Sequence, residues 1–249
     1  MISRRNFFAT GAACFAAVVT APVVFSQESS SSAAQNRQRR MRALPEWKNE
    51  HFYKNNDGKK VFDEDKARDA IISLCEYYRY PVYKGLREKL WVSDYGLGNY
   101  VEVGLAAVGF VNKLDGEYSF MLQDLFLLPN QMLPEHWHVA TTEAERKTKG
   151  PQKDEGWLIR HGRSYVIGEG EPNLPPEVVV PKSHGEVTVN HCTIADPGDY
   201  VPLAKRGTRH WQFAGKQGVI LTEVANYHDN SSVRHTNKTA NDHFLSGIK

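Results

Sequence analysis

Apolar residues recur along this chain at two different spacings, and the change from one to the other falls near Asn99. Before it, Ala67, Ala70, Ile71, Leu74 and Tyr78 follow a helical period, which predicts a helix from about 64 to 78 with one face docked on the rest of the molecule. Asp63 is placed to cap it, Glu64 and Asp65 complement the positive end, and Tyr80-Pro81 stops it. Gly85 to Trp91 reads as a shorter element, and the whole helical region, 61–99, is expected to pack on one end of a sheet. Beyond Asn99 the pattern becomes that of strands: Val101 through Val111, then Glu117–Leu128, Trp157–Arg160, Ser164–Ile167, Glu177–Val180, Glu186–His191 and Gly218–Val224. Clusters of Gly, Pro, Asn and Asp separate them. Many short strands with turn residues between them predict an all-β sandwich or small barrel, not a parallel α/β sheet. No internal repeat of fixed period is visible.

The start of the chain follows another logic. Ser3-Arg4-Arg5-Asn6-Phe7-Phe8 is a twin-arginine pattern, and Ala9 to Phe25 is a weakly apolar run too short for a comfortable membrane span. Residues 1–26 are therefore expected to be a twin-arginine signal peptide, with Ser32-Ala33-Ala34 as a competing cleavage region, and the mature protein to reside in the periplasm or otherwise outside the cytoplasm. Residues 27–60, with Ser29 to Ser32 and the basic run Arg37 to Arg40, are expected to form a polar linker. Removing the leader turns 31 basic and 29 acidic residues into a balanced 29 and 29, since Arg4 and Arg5 are the only charges before Gln27. That balance removes the electrostatic case for nucleic acid or for an anionic membrane, and no stable membrane anchor is expected after cleavage. Of three cysteines, Cys14 lies in the leader; Cys75 and Cys192 have no motif spacing and read as small buried hydrophobes.

The chemistry concentrates around His136-Trp137-His138, Glu155 and the His210 that ends Gly207-Thr-Arg-His. Two histidines at i and i+2 project from one face of a strand, so both can reach one ion. Three imidazoles and a carboxylate suit Mn, Fe, Ni, Co or Zn better than Mg or Ca, which prefer oxygen shells. Sixteen residues, Val139 to Asp154, separate His138 from Glu155, and Glu143 or Glu145 in that charged insertion would be nearer alternatives for the carboxylate. Glu155 is preferred because a strand fixes a ligand better than a loop. Elsewhere His51, His161, His184, His191, His228, His235 and His243 read as surface or satisfied core residues. Glu223 stands in an apolar strand, where an acidic group is costly without a partner.

His136-x-His138, Glu155 with Gly162 after six intervening residues, and Pro197-Gly-Asp199 leading to Gly207-Thr-Arg-His210 resemble the two motifs of the cupin family. Lys205 stands where its second motif has proline, and Ala214 in place of its asparagine. The resemblance implies a double-stranded β-helix, or jelly-roll barrel, over residues 100–240 with the helical extension packed on it. Lys153-x-Glu155 and the later Glu223-Val-Ala-Asn-Tyr-His-Asp-Asn230 are similar, more narrowly, to the cupin sugar isomerases of the D-lyxose isomerase type. That likeness covers about Val101 to Arg234 and implies His136, His138, Glu155 and His210 as metal ligands and Lys153, Glu223 and Asp229 as catalytic residues. It implies one divalent ion, with Mn first and Fe, Co or Zn behind it, and a free aldose of the lyxose or mannose class as substrate. Trp137, Trp157 and Trp211 flank the ligands and are expected to wall a sugar ring. Pairing of two barrels into a homodimer is expected by analogy. The alternative is another exported metal-binding cupin, either an iron oxygenase or a non-catalytic carbohydrate-binding protein. Whether Lys153 and Glu223 share one cavity with the ligands discriminates between them.

Overall fold

A computed structural model describes residues 43–114, 119–140, 142–143 and 152–247. The expected leader and the first part of the expected linker lie outside the described residues. Among those described, no helix is long and apolar enough to cross a membrane.

The stretch expected as linker up to residue 60 ends in an ordered hairpin, β1 (Tyr53–Asn56) and β2 (Lys59–Phe62). Its two-residue turn, Asp57-Gly58, has both φ angles positive, at 51° and 79°. This is the left-handed pair that matches the twist of tight hairpins, and Asp-Gly is its usual sequence. Helix α1 (Glu64–Tyr78) then begins at the predicted cap, with the Asp63 side chain accepting from the Lys66 N–H. It ends on Arg79 in a left-handed conformation. A single turn, α2 (Leu86–Lys89), and a short strand, β3 (Trp91–Ser93), follow.

The remaining strands are β4 (Leu105–Lys113), β5 (Phe120–Leu127), β6 (Met132–His138), β7 (Glu155–Gly168), β8 (His191–Ala195), β9 (Tyr200–Pro202), β10 (His210–Ala225) and β11 (Val233–His235). They form one antiparallel sheet ordered β11-β6-β10-β5-β4-β3, with β7 also on β10 and carrying β8 and β9. The sheet curls because β10 changes partner midway. Its first half pairs with β6 on one edge, its second half with β5, and β7 runs beside both halves. The architecture is mostly β, one curled antiparallel sheet with few helices, as expected.

Gly162 in β7 and Gly218 in β10 permit that bend, with φ of 74° and 73°. A Cβ at Gly162 would lie 2.1 Å from the Gly218 carbonyl oxygen, so the two long strands cross where only backbone fits. The predicted strands Trp157–Arg160 and Ser164–Ile167 are accordingly one bent strand, not two.

Both faces of the sheet are covered. Ile71 and Leu74 of α1 pack with Val92, Ala106, Val108, Phe126 and Ile220 on the outer face. On the inner face, Leu105, Ala107, Leu125, Leu133, Ile159 and Leu221 fill the interior. A second outer patch of Met132, Tyr165, Trp211 and Phe213 is covered by Val178, Val180, Val187 and Val189. These valines account for a correction. Glu177–Val180 and Glu186–His191 are not strands; the pairing strand is His191–Ala195, and the valines serve as a lid, Val178 and Val180 between Pro176 and Pro181 and Val187 and Val189 beyond it. A final helix, α3 (Lys238–Ser246), capped by Asn237, was not anticipated. Cys75 and Cys192 are free and buried in different apolar clusters.

Candidate active site

His136 and His138 project from β6 toward the interior, and His210, the first residue of β10, pairs directly with His136. A bulge shapes this pairing: Leu133 to His136 spans one residue more than Gln212 to His210 opposite. The extra residue turns both Leu133 and His136 to the inner face. The His136 Nδ1–H donates to the Pro134 carbonyl at 2.9 Å, and the His210 Nδ1–H to the Thr208 carbonyl at 3.1 Å. Each bond commits Nδ1 and leaves Nε2 free as a ligand. Donor atoms of the three histidines lie within 4.8 Å of one another.

Glu155, at the start of β7, completes the group. Its Oε1 lies 3.2 Å from His138 Nε2 and 3.3 Å from His210 Nε2. All three atoms are buried, and none has a hydrogen bond of acceptable geometry. Convergent buried donors without partners are expensive unless something binds them together, and a divalent cation fits that description. Charge supports the same fit: one Lys153 ammonium stands against the two carboxylates of Glu155 and Glu223. Glu143 is exposed, and Glu145 lies outside the described residues.

Lys153 connects the ligand group to the rest of the cavity. Its Nζ is 2.8 Å from Glu155 Oε2 and donates to Glu223 Oε1, while Gln123 Nε2 donates to Glu223 Oε2 at 3.1 Å. Glu223 sits on β10 between Gln123 of β5 and Trp157 of β7. Burial, reinforced by Glu155, raises the Glu223 pKa above the ordinary carboxylate value despite Lys153. Glu155 behaves oppositely: burial alone would raise it, but Lys153, His138 and His210 together hold it well below the usual range. Burial works against the Lys153 ammonium too, yet the two carboxylates keep its pKa above the usual lysine value. Two buried carboxylates driven in opposite directions are the arrangement that separates a ligand from a base.

Lys153 and Glu223 both line a cavity of about 330 Å³ that His136 also borders. The three tryptophans are placed elsewhere. Trp137 lies on the opposite face of β6, with the Arg209 guanidinium 4.4 Å from its ring centre. The Trp211 indole N–H donates to the Val189 carbonyl beneath the valine lid. Trp157 is buried in the interior, its ring centre 5.3 Å from that of His210, and borders a separate hollow of about 70 Å³. None of them lines the cavity shared by Lys153 and Glu223, so the expected sugar-stacking wall there is not theirs. Asp229 is also placed outside it: its carboxylate accepts from the N–H and hydroxyl of Ser231 and caps a short turn.

The cavity takes instead Trp91, Tyr95 and Phe244 as its aromatic wall, with His228, Asn230 and His235 from the segment around Asp229. His228 and His235 read from sequence as ordinary histidines; the available signal was that His228 lies inside the Glu223-to-Asn230 run and His235 shortly after it. Glu135 was missed as well. Its buried carboxylate accepts from the Thr188 N–H and hydroxyl, the Val189 N–H and the Thr236 hydroxyl, tying the valine lid and the chain beyond β11 to the ligand strand.

The histidine cluster makes a prediction for the metal-free protein. Burial drives the pKa of His136 well below its ordinary value, that of His138 to about 4, and those of His228 and His235 to about 3. In the unfolded chain these groups titrate near 6.5. Below that pH the unfolded state takes up protons the folded state refuses, so stability is lost as pH falls from about 6.5 toward about 4, by up to about 1.4 kcal/mol per pH unit per histidine. The raised Glu223 opposes part of this. Denaturant midpoints of chelator-treated protein should be level near pH 7 and fall steeply toward pH 4.5. A profile that stays level throughout would contradict a neutral buried cluster.

No family model matches the chain. A D-lyxose ketol-isomerase of Cohnella laeviribosi is 30% identical over 161 residues, which are 64% of this chain and 82% of that protein. A D-lyxose/D-mannose isomerase of Thermosediminibacter oceani is 31% identical over 147 residues, 59% of this chain and 75% of its own length. Among solved structures, the L-ribose isomerase of Cellulomonas parahominis superposes with a TM-score of 0.56 at 16% identity, covering 73% of this chain and 94% of the other. That of Geodermatophilus obscurus gives 0.54 at 14%, covering 72% and 93%. At such identities the structural likeness speaks for the fold.

Proposed function

Because this chain belongs to the D-lyxose ketol-isomerase family, we propose that it interconverts a free aldose and its ketose by moving a proton between C2 and C1. The observation that carries the proposal is Lys153, held between Glu155 on the ligand side and Glu223 on the other, inside one cavity. A binding protein or an oxygenase has no need of a buried, raised carboxylate bonded to a lysine, whereas a proton shuttle does.

His136, His138, Glu155 and His210 would hold a divalent ion, with Mn first and Fe, Co or Zn as alternatives. When bound, such an ion supplies electrophilic stabilisation of negative charge developing on the sugar oxygens. The remaining work falls to the chain. Glu223, unprotonated, takes the C2 proton; the C–H electron pair forms the C1–C2 double bond and the carbonyl electrons move to O1, giving an enediolate. The O2 hydroxyl proton passes to O1, and as O2 becomes the C2 carbonyl Glu223 returns its proton to C1, so the ketose forms with no net gain or loss of protons. Lys153 keeps Glu223 in place and compensates the charge as it changes. The apolar wall of Leu105, Leu125 and Leu133 excludes the water that would quench the intermediate. The mature enzyme is further read as exported by the twin-arginine route, loaded with its metal before export, and as pairing into a homodimer.

Mature protein with Mn, incubated with a panel of aldopentoses and aldohexoses and followed by NMR, is expected to yield ketose. Chelation should abolish turnover and re-addition of metal restore it. If no sugar gives ketose under any of several divalent metals, the isomerase reading falls.

A further inference from the structure

His235 lies directly opposite His136 where β11 pairs with β6, and the two ring centres are 5.6 Å apart. It is 5% exposed, borders the cavity shared by Lys153 and Glu223, and makes no ring hydrogen bond of good geometry, with the Glu135 backbone as a polar neighbour. Its neighbours offer none through their faces: Tyr95 and Phe244 stand edge-on to it at 5.0 and 5.3 Å. Unlike His136, His138 and His210, it is not in the group whose donor atoms converge within 4.8 Å. Most other polar groups at the cavity are engaged, the His228 Nδ1 being a further buried atom without a partner. Lys153, Gln123 and Glu223 bond to one another, and Asn112 bonds to the backbone of His228, whose Nε2 faces Asn230. A neutral imidazole carries one donor and one acceptor, and a ring without a well-formed bond can complement a hydroxyl group. Most of the wall around it is apolar, so a polyhydroxylated ligand lying there would have to satisfy its hydroxyls at few points.

We propose that His235 is a sugar-positioning residue, hydrogen-bonding through its ring to a hydroxyl of the open-chain aldose beyond the two carbons that exchange the proton. The assignment rests on the isomerase reading above for the identity of the ligand. It makes His235 a determinant of which aldose is accepted, because a site that must satisfy a buried donor and acceptor discriminates against a sugar lacking the matching hydroxyl.

The test uses the metal-loaded enzyme and its His235→Phe and His235→Gln variants. Turnover is measured on the best aldopentose and its 3-, 4- and 5-deoxy analogues, and binding of the corresponding pentitol by calorimetry. Metal content is determined for each protein. His235→Phe is expected to raise KM and weaken pentitol binding about tenfold, with kcat little changed and metal retained. On one deoxy analogue the variant and the parent should become equal, and His235→Gln should recover part of the loss. An equal loss on every analogue would mean a structural role, and loss of metal would make His235 part of the ligand shell; either overturns the proposal. Ketose formation with KM unchanged in His235→Phe would remove the subsite and leave the isomerase standing. If the parent turns over no aldose yet binds pentitol through His235, the isomerase reading fails and the subsite survives. A parent that does neither sinks both.

Discussion

Replacing Glu223 with glutamine is expected to lower kcat by roughly a hundredfold to ten-thousandfold while leaving the fold and the metal content unchanged. The amide has the shape of the carboxylate and can keep one acceptor for Lys153, but it cannot take a proton from carbon. Glu155 still balances the lysine, so no buried ammonium is left alone. Exchange of the C2 proton with deuterated solvent, followed by NMR, should fall with turnover, since the same group would control both. Metal analysis and the thermal midpoint separate this outcome from unfolding. Turnover within tenfold of the parent would assign the base elsewhere in the cavity.

Lys153→Met should be costly in a different way. Methionine fills much the same volume, yet it removes the charge that two fully buried carboxylates share. Breaking a buried pair by deleting one partner typically costs about 3–5 kcal/mol, and a loss of that order is expected in denaturant unfolding of the metal-free protein. Metal binding should recover part of it by supplying positive charge. In the loaded enzyme the Glu223 pKa, already raised by burial, should climb further without the ammonium. The base acts when deprotonated, so the acid limb of the kcat/KM profile must move to higher pH. An unmoved limb, with turnover retained, would show that Lys153 does not govern Glu223.

Much of the scaffold was legible because it is local. The α1 boundaries follow from Asp63, the apolar spacing and Pro81, and all three act within a few residues of the turns they control. β5 lies within its predicted run, shortened at both ends, while β4 begins later than Val101 and continues past Val111 to Lys113. The hairpin at Tyr53–Phe62 carried its signal in Asp57-Gly58 and was lost in polar surroundings. The false strands at Glu177–Val180 and Glu186–His191 have strand-like composition, but their valines are used for covering Trp211 and Phe213, not for pairing backbones. Composition records that a residue is apolar and leaves open whether its backbone is in a ladder.

By itself the sequence determined the His136-x-His138 pair, because alternation along a strand puts i and i+2 on one face whatever surrounds it. It also supplied the candidate partners Lys153, Glu155, His210 and Glu223, and ranked Glu155 above Glu143 only through the strand expected to carry it. Only the curled sheet decided that Glu155 reaches His138 and His210, that Lys153 bridges to Glu223, and that His235 faces the same cavity. The tryptophans show the physical reason most clearly. A half-exposed sheet reveals its inner face by polarity, but here both faces are covered, so an aromatic residue is at home on either side. Trp137 and Trp211 went to the outer side, Trp157 into the packed interior, and the cavity wall fell to Trp91, Tyr95 and Phe244, brought together from β3, the loop after it and α3.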